Sequence, residues 1–127
     1  MSKLLVYATA AFFIVYGALF LLIPTGMAYW ITGAELNPAS AVIDVRATYG
    51  GAQLAIGLMM FLVVKLKDDV ELGLIFVAVV LLAMAFGRLV GLWSDGEANL
   101  VMYLYLVGEL LFGALALVLR SKDKIKA

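Results

Sequence analysis

The sequence predicts an all-α polytopic membrane protein, a bundle of four transmembrane helices with a short interfacial segment between helices 1 and 2. Three observations predict it. Of the 127 residues, 66% are apolar and only 14% charged, against an apolar share of roughly 45–50% in soluble domains. Four apolar stretches, each near the roughly 20 residues that a span requires, fall at about 4–23, 38–64, 70–93 and 98–119. The connections between them and the two chain ends together carry most of the charge. Residues 1–127 therefore read as a single membrane domain, with no room for a soluble catalytic one.

Helix 1, Leu4 to Ile23, is preceded by Lys3 and closed by Pro24. A secretory signal peptide is the competing reading, but its apolar core runs about 7–15 residues. The run here is longer and ends in no small-x-small cleavage site. The connection from Pro24 to Leu36 stays apolar and sets Tyr29 beside Trp30, which suits the outer interface, where amphipathic rings are favoured. A lid over a ligand is its alternative role. Helix 2 is expected to open with Asn37 as N-cap and Pro38 at the first helical position, and to run to about Val64. That is roughly 40 Å, longer than the ~30 Å hydrocarbon core, so Asp44 stands among headgroups. Lys65 to Asp69 forms a charged turn, and helix 3 spans about Val70 to Trp93. Ser94 to Glu97 turns into helix 4, about Ala98 to Leu119, and the basic tail Arg120 to Ala127 is expected to fray.

Nine basic and nine acidic residues cancel, so no surface for nucleic acid is implied. Cysteine and histidine are both absent. That excludes disulfides, thiol nucleophiles, His- or Cys-built metal centres and Ser-His triads. The membrane acids are too scattered for a carboxylate metal site, and no cofactor is expected. Lys3, Lys65, Lys67, Arg120, Lys122, Lys124 and Lys126 all fall on one side of a four-span chain, whereas the two opposite connections hold no Lys or Arg. The positive-inside rule then puts both termini in the cytoplasm.

The polar centre of the chain is Arg46-Ala47-Thr48-Tyr49-Gly50-Gly51-Ala52-Gln53. At about 100° per residue Arg46, Tyr49, Gly50, Gln53 and Gly57 share one narrow helix face. Helix 4 echoes it: Tyr49-x-x-x-Gln53-x-x-x-Gly57 is matched by Tyr105-x-x-x-Glu109-x-x-x-Gly113. Either a 2+2 duplication or a shared demand for small and polar residues on an inward stripe gives that pattern. Glu109 lies near mid-bilayer, where a bare charge is unfavourable by a few kcal/mol. It must be protonated, paired or hydrated, and in each case it faces inward. Arg88 either snorkels to the headgroups or reaches down to Glu109. On helix 1, Tyr7 and Tyr16 are candidates to face an interior cavity, with the inner interface as the alternative for Tyr7.

Arg46, Tyr49, Gln53, Arg88, Tyr105 and Glu109 are thus the candidate ligand-binding residues, and no catalytic or metal-binding set is found. One reading has them simply lock the helices in register. The other has them floor a pocket that opens outward and receives a small amphipathic, anionic or lipid-like molecule, both arginines meeting its polar end. Two further functions compete with binding. An accessory or scaffold subunit would use apolar outer faces and the Gly87-x-x-x-Gly91 ridge, in a homo-oligomer or with another membrane protein. An intramembrane enzyme or proton-coupled carrier would use Glu109 as acid and base. Gly50, Gly57 and Gly87 are each expected at a helix–helix contact.

These residues also carry a likeness. Arg46-Ala47-Thr48-Tyr49-Gly50-Gly51 with Leu54-Ala55-Ile56-Gly57-Leu58, then Gly87-Arg88-Leu89 with Asp95-Gly96, then Glu109, resembles the bacterial domain of unknown function 4345 family. That family looks like a member of the DoxX-like group of four-helix membrane proteins. The resemblance covers nearly the whole chain and implies a four-helix bundle in a bacterial inner membrane, with no established activity. Related groups include ligand-binding and sterol-isomerising membrane proteins, whose catalytic residues have no match here.

Overall fold

The computed structural model describes residues 1–126 and contains four helices long and apolar enough to cross a membrane, at Ser2–Leu22, Ala39–Lys67, Val70–Ser94 and Leu100–Ile125. The protein is an all-α, multi-pass membrane protein. Helix α1 is Ser2–Leu22. Ile23 then leaves helical geometry, with φ −131° and ψ 58°, because a following proline crowds the α conformation of the residue before it. Pro24 opens a second helix, α2, Pro24–Thr32. Pro24, Met27, Ala28 and Ile31 are its buried residues, the i, i+3, i+4, i+7 spacing of one helix face. Tyr29 and Trp30 point away from the protein and are exposed. Gly33, at φ +77°, ends α2 in the left-handed conformation that glycine adopts without penalty.

The second span begins one residue later than the capping pattern suggested. Helix α3 is Ala39–Val45, with Pro38 extended at the cap position and Asn37 outside. No side chain caps it; the Ala41 N–H reaches the Pro38 carbonyl at 3.0 Å. Arg46–Ala52 follows as a π-helical segment and Gln53–Lys67 as α4. Asp68 adopts φ +52° to end α4, and Asp69 caps α5, Val70–Ser94, accepting the Leu72 N–H at 2.8 Å. Asn99 starts α6, Leu100–Lys126, in the same way, through the Met102 N–H at 3.2 Å. The basic tail is helical through Lys126 rather than frayed, and Ala127 lies outside the described residues. Glu71 explains the order: it accepts from Arg120 and Lys124, each at 2.9 Å, while Ser2 donates to Asp123 at 2.6 Å.

Helix α1 packs along α4 and the π segment, and α5 packs along α6. The two pairs meet where α5 lies against α4 and α1, whereas α1 and α6 barely touch. Both described chain ends and the Asp68–Asp69 turn share one face of the bundle, and α2 covers the opposite, distal face. Two apolar clusters result. One, near the terminal face, is filled by Val6, Phe13, Met60, Leu74 and Val77. The other, beneath α2, is built on Phe20, Met27, Ala28 and Ile31. Most other large apolar side chains face outward, where acyl chains take the place of a protein partner.

Glycine sets the spacing of the first pair. A Cβ on Gly17 would sit 2.4 Å from the Leu54 nitrogen, and one on Gly57 2.7 Å from the Ala10 carbonyl oxygen. Gly50 presses on Leu21 in the same interface. Gly87 departs from expectation: nothing lies within 4 Å of its Cβ position. It faces outward on α5, because Arg88 and Leu81 take the inward face.

Candidate functional site

Between the two apolar clusters lies a cavity of about 960 Å³, bordered by α1, α2, the π segment with the start of α4, α5 and α6. Its size falls at the upper end of the range of about 300–1,000 Å³ spanned by small-molecule pockets. Five of the six sequence candidates line it: Tyr49, Gln53, Arg88, Tyr105 and Glu109.

Arg88 reaches inward. Its Nε donates to Glu109 Oε2 at 3.0 Å and its Nη2 to Oε1 at 2.6 Å, the two-pronged geometry in which a planar guanidinium matches a carboxylate. Only 7% of Glu109 is exposed and 18% of the Arg88 side chain, so the pair is largely withdrawn from its surroundings. The remaining Nη1 points at the Met102 sulfur, 3.2 Å away, a weak acceptor. Tyr105 lies under the guanidinium, whose carbon is 5.2 Å from the ring centroid. A cation over an aromatic face is attracted by the ring's quadrupole.

Arg46 is not part of this group. Its Nη1 donates to the carbonyl of Leu21, in the last turn of α1, where unpaired carbonyls and the helix dipole favour a cation. The reason is the π segment. In a continuous α-helix, Arg46 and Gln53, seven residues apart, share a face; a π turn closes i to i+5 and takes up one more residue. That extra residue swings Arg46 towards α1 while leaving Tyr49 and Gln53 on the cavity. Thr48 also lines the cavity, and its hydroxyl donates to the Asp44 carbonyl at 2.8 Å.

Helix α1 contributes more than its sequence announced. Phe12, Tyr16 and Phe20, spaced i, i+4, i+8, line the cavity as one stripe. Tyr16 stacks on Phe12 at 5.6 Å and meets Tyr105 edge-on at 6.4 Å, while Phe20 lies 5.4 Å from Tyr49. The stripe was visible as helical spacing, but aromatic stripes in spans so often face lipid that spacing alone did not single it out. Tyr7 packs beside Phe61 near the terminal face instead, at 5.7 Å.

Gln53 is the anomaly. Its Oε1 is buried without a hydrogen-bond partner, the one such side-chain atom among the described residues. Buried polar atoms are nearly always paired. Among the described residues no three His, Cys, Asp or Glu side chains group as metal ligands.

The family model for the domain of unknown function DUF4345 matches residues 1–120, and the chain belongs to that family. No curated protein and no solved structure matches it.

Proposed function

We propose that this member of the DUF4345 family binds a small amphipathic molecule inside the membrane, with Tyr49, Gln53, Tyr105 and the Arg88–Glu109 pair forming the polar wall of its site. One observation carries the reading: the buried ion pair borders a cavity. A pair that served only to register helices would be expected inside filled packing, as at the Val6–Val77 cluster. Acid–base chemistry by Glu109 is disfavoured, since both its oxygens already accept from Arg88.

The absence of cysteine gives a clean test. Thr9 is buried and lines the cavity, whereas Val77 is fully buried in the filled cluster. A Thr9→Cys variant extracted with its native lipid should resist a small apolar thiol reagent and become reactive after delipidation. Val77→Cys should stay unreactive throughout. Thr9→Cys that reacts equally before and after delipidation would show an unoccupied space, and one that never reacts would show no accessible site.

We also propose that the protein lies in a bacterial inner membrane, as the family resemblance implies, with both termini cytoplasmic, on the strength of the basic residues gathered at the terminal face. A periplasm-active reporter inserted after Asp95 should then be active, and the same reporter at the C-terminus silent. The opposite pattern would invert the bundle.

A further inference from the structure

We infer that the cavity takes an uncharged lipid, admitted sideways from the bilayer through the gap between α1 and α6. This rests on the binding reading above and narrows it to a chemical class and a route.

The class follows from the charges. Among the described residues, Arg88 and Glu109 are the only Arg, Lys, Asp or Glu side chains on the cavity wall, and they neutralise one another. Arg46, the second cation expected to meet an anionic head, is engaged at the end of α1. A carboxylate or phosphate would therefore bring an uncompensated charge into an apolar space, or would have to pull Arg88 from Glu109. An uncharged head, a hydroxyl or an ester, brings no such charge. The chain of the ligand has a place as well. Cavity-lining residues on α1 extend from Phe20 to Leu5, a rise of roughly 22 Å at 1.5 Å per residue. The half nearer the terminal face is walled by Leu5, Phe13, Leu81 and Phe112, which suits a hydrocarbon tail.

The route follows from the packing. α1 and α6 each lie along a different partner and barely meet. Ser2 to Asp123 joins them at the terminal face. At the distal face α2 bridges them, its Ile31 carbonyl held by the Asn99 side-chain amide at 2.7 Å. Between these two ties Phe12 on α1 and Leu104 and Phe112 on α6 line the cavity, yet are 54%, 61% and 52% exposed. They are the rim of an opening that faces acyl chains. Gly108 sits on the same rim, and nothing lies within 4 Å of its Cβ position.

The test uses the full chain in lipid nanodiscs and a photoreactive long-chain alcohol, displaced by an unlabelled primary alcohol, by the methyl ester and by the free acid of equal chain length. The alcohol and the ester should each compete at about tenfold lower concentration than the acid, since neither brings a charge into the apolar space. Gly108→Phe should slow association several-fold while leaving the order of preference unchanged. Competition by the acid as strong as that by the alcohol and the ester would overturn the uncharged class; an unchanged association rate in Gly108→Phe would overturn the lateral route. If no probe is displaced while Thr9→Cys is still protected by native lipid, this class fails and the binding reading stands. If that protection is also missing, both fail.

Discussion

Arg88→Met is expected to destabilise the protein by about 3–5 kcal/mol, the usual consequence of stranding one member of a buried ion pair. Glu109, with 7% exposure, has no second cation among its hydrogen-bond partners and would be left buried without one. Adding Glu109→Gln should restore most of the loss, because the stranded carboxylate is gone and the two changes are directly coupled. Thermal unfolding in a mild detergent reads both variants. Glu71→Gln provides the contrast: its partners Arg120 and Lys124 are substantially exposed, so the change should fall within about 1 kcal/mol. A silent Arg88→Met would mean that the pair does not hold α5 to α6.

Gly17→Ala should be at least as damaging, although it adds a single methyl group. The new carbon would lie 2.4 Å from the Leu54 nitrogen, 2.8 Å from the Gly50 oxygen and 2.9 Å from the Leu54 Cα. All three are backbone atoms, so no side-chain rotation relieves the clash and α1 must separate from α4. The cost should exceed the ~1–3 kcal/mol typical of overpacking, and the cavity wall formed by Tyr49 and Gln53 should be displaced with it. Gly87→Ala, with open space around it, should be neutral or stabilising by up to about 1 kcal/mol, as alanine favours a helix over glycine. Comparable behaviour of the two variants in a detergent stability assay would contradict the α1–α4 contact.

The spans were legible because an apolar run of the right length has few other fates, and four of them in 127 residues leave little else to place. Glu109 was legible as inward-facing for the same reason: hydrocarbon makes an unpaired carboxylate expensive. The echo between helix 2 and helix 4 has a geometric counterpart. Gly57 packs on α1 and Gly113 on α5, each on a neighbour earlier in the chain, while Tyr49, Gln53, Tyr105 and Glu109 all turn to the cavity. What was not legible traces to departures from the 3.6-residue period and to tertiary ties. The π segment moved Arg46 off the shared face, and no periodicity argument built on a continuous α-helix can foresee that. Gly87 was misplaced because a glycine ridge reads the same whether it meets a neighbour or faces outward. The order of the basic tail depends on Glu71, 49 residues away in sequence from Arg120.

Native mass spectrometry of the protein released from a gentle detergent tests the central claim, that the cavity bordered by Arg88 and Glu109 is a ligand site. The account predicts a discrete small-molecule adduct, one per chain, on the parent protein, and its loss from the Arg88→Met, Glu109→Gln double variant even though that variant folds. A parent chain that flies bare, or an adduct retained unchanged by the folded double variant, would contradict it.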